Sequence, residues 1–282
     1  MWGFSRLALV LLALLVATGP SLAARNLTDG QREEALRWAA NNSLFTLYHE
    51  VTHLLIDKLN LPVLGREEDA ADAVASYQML AAHDHDANVA IGDAAYGWLL
   101  YGQLYGSKLN DSDFYNEHSL DKQRAYQIVC YMVGSDAETF RKIADDFHID
   151  DSRQDTCKYD WQRLKASVEG LLAPYSEKNH SNTKVRIVYD SAKGSMRHAA
   201  DAFKRSGVFE KVARAVEKGY PLTDTVTFHA KSCGEPNAFY DSDAVEVIYC
   251  YELMDDLVSI ISDDMPEVKA TPAGKGGLGR AD

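Results

Sequence analysis

Residues 45–57 read Phe-Thr-Leu-Tyr-His-Glu-Val-Thr-His-Leu-Leu-Ile-Asp, which sets His49, Glu50 and His53 in the spacing HExxH. On an α-helix one turn separates positions i and i+4, so two imidazoles so placed project from one face and can share a metal ion. Glu50 then stands beside the first ligand, where a carboxylate can reach a metal-bound water and act as its general base. The chemistry on offer is hydrolysis assisted by Zn2+. Leu47, Val51, Leu54 and Leu55 give the same stretch an apolar face, and packing of that face would hold the helix rigid.

A catalytic zinc needs a third protein ligand and one open position for water. Pro62-Val-Leu-Gly65 reads as a turn, and Arg66-Glu67-Glu68-Asp69-Ala-Ala-Asp72 opens a second helix. Glu68 and Asp72 lie one turn apart and share a face of it. Glu68 is therefore the expected third ligand. Asp72 is placed to accept the second N–H of a zinc-bound imidazole, fixing its tautomer and raising its basicity. Glu67 competes for the ligand's place, but no carboxylate follows it one turn on. His83-Asp84-His85-Asp86 also alternates metal-binding types, yet at the end of a helix this pattern reads as a solvated loop.

These residues need elements to position them. Apolar residues recur at helical spacing over 30–40, 43–59, 66–82, 89–105, 119–133, 136–147 and 158–172. Pro174 and the polar run 176–183 mark a linker. Beyond it, 184–189, 225–229 and 245–249 alternate as strands, 195–218 reads as a helix broken at Gly207, and a last helix runs over 254–261. The expected fold is α+β. A mostly helical metal-binding half, residues 24–175, packs with a small α/β half, residues 184–263, and a polar, Gly-rich tail over 264–282 is expected to be disordered. The GxGxxG at Gly274, Gly276 and Gly279 has no strand before it and no helix after it, so it is not a dinucleotide fingerprint.

At the N-terminus, Arg6 precedes an apolar run from Leu7 to Ala17 and the small residues Ser21-Leu22-Ala23-Ala24. That order predicts a secretory signal peptide over residues 1–23, its apolar run shorter than the roughly 20 residues that span a bilayer. A periplasmic or secreted protein with no membrane span after signal cleavage is the expectation. In an oxidising compartment the four cysteines, Cys130, Cys157, Cys233 and Cys250, pair by default. Three connectivities are possible, and the local pairs Cys130 with Cys157 and Cys233 with Cys250 are favoured because each falls within one segment. A net charge of -13 argues against nucleic acid or anionic lipid as the partner, since both call for a basic footprint. Neither a GxSxG elbow nor a P-loop occurs.

His49-Glu50-x-x-His53 with Glu68-x-x-x-Asp72 resembles the gluzincin metallopeptidases, whose HExxH helix is followed by a helix carrying ExxxD. The gap between the two motifs is shorter here. More closely, the chain resembles a bacterial domain family known only as putative metallopeptidases, through Pro62 to Asp72 and the run His118-Ser-Leu-Asp-x-Gln-Arg124. Cys233-Gly-Glu-Pro-Asn237-Ala238-Phe239-Tyr240 adds a third likeness. It is similar to the Asn-Ala-aromatic edge strand that pairs with extended peptide substrates in thermolysin-like enzymes, and so implies substrate-binding roles for Asn237 and Ala238. In that family the segment precedes the HExxH helix, whereas here it follows, a circularly permuted order.

The resemblance implies a zincin-like fold with a substrate edge strand and a peptide or protein as substrate. The expected function is a zinc metallopeptidase, with Glu50 as general base and His49, His53 and Glu68 as ligands. A non-catalytic zinc-containing binding module and a zinc amidase acting on cell-wall peptides are the alternatives. The roles of His118 and Arg124 are left open between stabilising a transition state and holding the fold.

Overall fold

The computed structural model describes residues 27–104, 106, 109–176 and 183–266. The expected signal peptide, residues 177–182 of the linker expected over 176–183 and residues 267–282 of the tail expected from 264 lie outside them, while Asp264 still belongs to the last helix. Seven helices come first: α1 (Asp29–Leu59), α2 (Glu67–Ala81), α3 (His85–Leu104), α4 (Asp111–Tyr115), α5 (Asp121–Ser135), α6 (Ala137–Asp146) and α7 (Asp151–Ser176). Then follow β1 (Lys184–Tyr189), α8 (Met196–Ser206), α9 (Val208–Gly219), β2 (Thr225–Lys231), β3 (Ala238–Asp241), β4 (Glu246–Cys250) and α10 (Tyr251–Asp264). The class is α+β. Among the described residues no helix is long and apolar enough to cross a membrane.

The long helix α1 organises the molecule. Thr28 caps it, its hydroxyl accepting from Gln31 N while the Gln31 side chain returns to Thr28 N, a reciprocal box that satisfies two otherwise orphaned donors. Asn60 ends it in the left-handed conformation at φ 49°. The sequence suggested two segments split near residue 42, where Asn-Asn-Ser interrupts the apolar period. The helix instead runs through, because the polar side chains are used in its packing. Asn42 Nδ2 donates to Trp38 O and Asp93 O, and Ser43 Oγ pairs with Tyr249 Oη at 2.6 Å.

The apolar face of α1 buries Leu47, Val51, Leu54 and Leu55 in one cluster that runs from Ala35 to Ile261. On one side α1 packs against α2 and α3, and on the other against α10, α9 and β3. Its approach to α3 is close at Gly97, where a Cβ would come within 2.1 Å of Asn42 Oδ1. Only glycine leaves that space.

Strand order in the sheet is β1-β2-β4-β3. β1, β2 and β4 run parallel, and β3 is antiparallel on the edge. Phe203 stacks on Tyr249 at 3.8 Å between ring centroids, and Phe209 packs on Phe228, which seats α8 and α9 on the inner face. Both favoured disulfides form. Cys130–Cys157 joins α5 to α7, and Cys233–Cys250 ties the loop before β3 to the end of β4. The sequence ended the last helix of the first half near residue 172, but α7 continues to Ser176 with Pro174 inside its final turns.

Candidate metal centre

Gly65, at φ 122°, turns the chain after α1 so that α2 starts beside the second half of α1. Glu67, Glu68 and Asp69 fill the first turn of α2, where the free N–H groups and the helix dipole favour negative charge. The same turn thus has a local reason to be acidic and a position facing the two histidines.

The geometry around those histidines is ordered by which nitrogen meets which carboxylate. His49 Nδ1 lies 2.8 Å from Asp72 Oδ1, and His53 Nδ1 lies 2.8 Å from Glu67 Oε1. With each Nδ1 engaged as a donor, both Nε2 atoms are left to point the other way. They stand 3.1 Å apart, and Glu68 Oε2 is 3.0 Å from the first and 3.4 Å from the second. Each of the three can offer an electron pair to a cation held on that spot. A tetrahedral ion with bonds of about 2.0–2.1 Å sets its ligand atoms about 3.3 Å apart, so the residues present fit zinc. Glu67, the sequence's competing ligand, instead serves His53 as Asp72 serves His49.

A further imidazole reaches the same oxygen. His118 Nε2 is 2.9 Å from Glu68 Oε2, and the ligand atoms of His49, Glu68 and His118 lie within 4.8 Å of one another. His118 comes from the segment between α4 and α5, where Arg66 donates to its carbonyl oxygen. Arg124, from the first turn of α5, closes a chain of contacts on the other side. It forks onto Asp72 through Nε and a terminal nitrogen, and its guanidinium lies 3.4 Å from the centre of the Trp98 ring. The sequence showed both residues in one run without assigning either.

The electrostatics follow from burial and these pairings. Burial opposes charge on His49, but hydrogen bonds to Asp72 and Glu68 outweigh it and raise its pKa to about 9. His53 is also raised, its bonds to Glu68 and Glu67 overcoming burial. Glu68 and Asp72 are both held below the usual carboxylate range despite burial, Glu68 by three imidazoles and Asp72 by Arg124 and His49. Glu50 behaves differently. Burial pushes it up to about 7, against the nearby His49 and His53, so it can exchange a proton near neutral pH.

Two cavities meet here. One of about 380 Å3 opens on the Glu50 side between α1, α3 and α10. The other, about 590 Å3, opens on the His53 side between α1, α2 and β3. Both are lined by His49, Glu50, His118, Asn237 and Ala238. Asn237 and Ala238 therefore border the same cleft as the histidines, Ala238 on the edge strand. The Tyr240 hydroxyl donates to Asp57 Oδ2 at 2.7 Å and fastens β3 to α1.

A family model described as "Putative metallopeptidase", DUF4344, matches residues 14–172 and 189–273. No curated protein and no solved structure matches the chain significantly.

Proposed function

The chain belongs to this metallopeptidase family, and on that premise we propose that it is a zinc-dependent, gluzincin-like peptidase, with His49, His53 and Glu68 holding the ion and Glu50 acting as general base. One observation carries the reading: carboxylates engage both Nδ1 atoms, so both Nε2 atoms and Glu68 Oε2 converge on one point. A bound Zn2+ would polarise the scissile carbonyl and lower the pKa of a bound water from about 15.7 toward about 7.

The remaining work falls to the protein's own side chains. Glu50, next to the proposed ligand His49, takes the proton of the attacking water on its carboxylate. It then gives that proton to the nitrogen of the departing amine, so it ends the cycle as it began. Asp72 fixes the tautomer of His49, and Glu67 does the same for His53. Ala238, on the edge strand, pairs with the backbone of an extended peptide while the Asn237 side chain contacts it, which gives affinity with little dependence on sequence. The two disulfides support export to an oxidising compartment, the periplasm or the medium.

Glu50→Gln tests this. The variant is expected to bind zinc as tightly as wild type and to lose peptide hydrolysis by about a hundred- to ten-thousandfold. Hydrolysis that survives the substitution would take Glu50 out of the mechanism, and a wild-type protein purified without stoichiometric metal would remove the centre itself.

A further inference from the structure

The cavity on the Glu50 side has apolar side chains along much of its wall and, besides Glu50 at the proposed metal centre, one further acidic group. Phe45 and Thr46 of α1, Trp98 and Tyr101 of α3, and Leu253 and Leu257 of α10 surround it, and Asp256 of α10 joins the lining. The Tyr101 hydroxyl donates to Asp256 Oδ2 at 2.5 Å, which fixes the carboxylate's position without neutralising it. Among the described residues no lysine, arginine or histidine forms an ion pair with Asp256. Arg124 lines the same cavity, but its charge is taken up by the fork onto Asp72. Asp255, next to it on α10, has its pKa raised by burial and by the charges of Asp256 and Glu252.

We propose that this cavity is a specificity pocket for a lysine or arginine side chain, with Asp256 as the residue that selects it. The inference rests on the peptidase reading and adds the substrate class. Glu50 returns its proton to the amine nitrogen, so a pocket on the Glu50 side, away from His53 and Glu68, receives the residue that follows the scissile bond. The methylene stem of a long cationic side chain lies along Phe45, Leu253 and Leu257, as such stems do on apolar surface. Its charged end then meets the half-buried carboxylate in a charge-assisted hydrogen bond. A leucine in the same place would strip water from Asp256 and give nothing back. A glutamate would meet a like charge.

The experiment uses the zinc-loaded full-length protein and quenched fluorescent peptides that differ only in having Lys, Arg, Leu or Glu after the cleaved bond. Lys and Arg peptides are expected to exceed the Leu peptide in kcat/KM by about 10- to 100-fold, the range of a hydrogen bond to a charged group. Asp256→Asn should collapse that ratio toward one, Asp256→Glu should keep most of it, and Asp256→Lys should turn the preference toward Glu. Equal rates across the series, a preference for Leu, or a Lys preference untouched by Asp256→Asn would overturn the proposal while leaving the peptidase reading intact. Cleavage of none of the peptides would instead count against the peptidase reading. In that case calorimetric titration of the metal-free protein with the Lys and Leu peptides decides the pocket alone, tighter Lys binding lost in Asp256→Asn upholding it and equal binding refuting it.

Discussion

Asp72 grips Arg124 through both of its carboxylate oxygens, at 2.6 and 2.8 Å, and the oxygen on the longer bond also meets His49 Nδ1 at 2.8 Å. The carboxylate thus spends one oxygen on two partners, and the fork onto Arg124 fixes its position against the imidazole it serves. All three side chains are buried, and Trp98 backs the guanidinium at 3.4 Å. Orientation of the proposed ligand His49 is thus supported two contacts away, by an arginine outside the proposed ligand set.

Arg124→Gln removes the fork and leaves Asp72 buried beside a single partner. Breaking a buried ion pair from one side costs about 3–5 kcal/mol, so the melting temperature of the metal-free variant should drop by many degrees. Arg124→Lys keeps the charge but loses both the two-pronged bond and the stacking on Trp98. Its zinc affinity, measured by competition with a chelator, should fall by about 10- to 100-fold, the usual effect of losing a group that orients a ligand. An Arg124→Lys protein with wild-type affinity would show that the fork is not transmitted to His49.

Two imidazoles compete for a place around Glu68, and their supports predict different outcomes on removal. His53 sits on a rigid helix with Nδ1 held by Glu67 and Nε2 3.1 Å from that of His49. His118 sits in a connecting segment with its side chain 45% exposed, held through its backbone by Arg66 and Asn116. His53→Ala is expected to lose stoichiometric zinc, measured by elemental analysis of the purified variant. His118→Ala should retain it, with affinity reduced by less than about tenfold, below the range for an ordinary outer partner. The reverse pattern, zinc kept without His53 and lost without His118, would move the centre to His49, Glu68 and His118.

The sequence reveals this site as far as single helices do. HExxH on α1 and the Glu68–Asp72 spacing on α2 are both one-turn relations, and a turn's geometry is the same in every helix. Which carboxylate of α2 faces which nitrogen of α1 depends on how the two helices cross. For that reason Glu67 read as a rival ligand, although it meets the far nitrogen of His53. Arg124 and His118 arrive from α5 and the segment before it, and the cavity walls come from α1, α3 and α10. No spacing along the chain encodes those meetings. The break expected in α1 failed for a related reason: Asn42 and Ser43 look like interruptions until Asp93 and Tyr249 arrive from elsewhere to satisfy them. The edge strand was legible only through resemblance, because β3 is four residues long, too short for alternation to register.

The centre's proton affinity sets a pH dependence whose sign reverses on metal loading. In the metal-free protein His49 has its pKa raised from 6.5 to about 9, so its charged form is favoured by folding. That contribution is complete below the unfolded value of about 6.5 and is lost as pH rises through about 9. Glu50, raised from 4.5 to about 7 by burial, acts in the same direction at lower pH, since folding favours its proton and the benefit goes as pH passes about 7. Glu68 and Asp72 are depressed, so their contributions persist through neutral pH and vanish only in acid. The melting temperature of the metal-free protein should therefore decline steadily from about pH 5 to about pH 9. As a zinc ligand His49 would have to be uncharged and would give up its proton, so the rise in melting temperature on adding zinc should grow across the same range. Melting curves at one-unit pH intervals, with and without a fixed free zinc concentration, give both slopes. A metal-free protein that gains stability up to pH 9, or a zinc effect largest near pH 5, would mean that His49 does not carry the proton which the metal displaces.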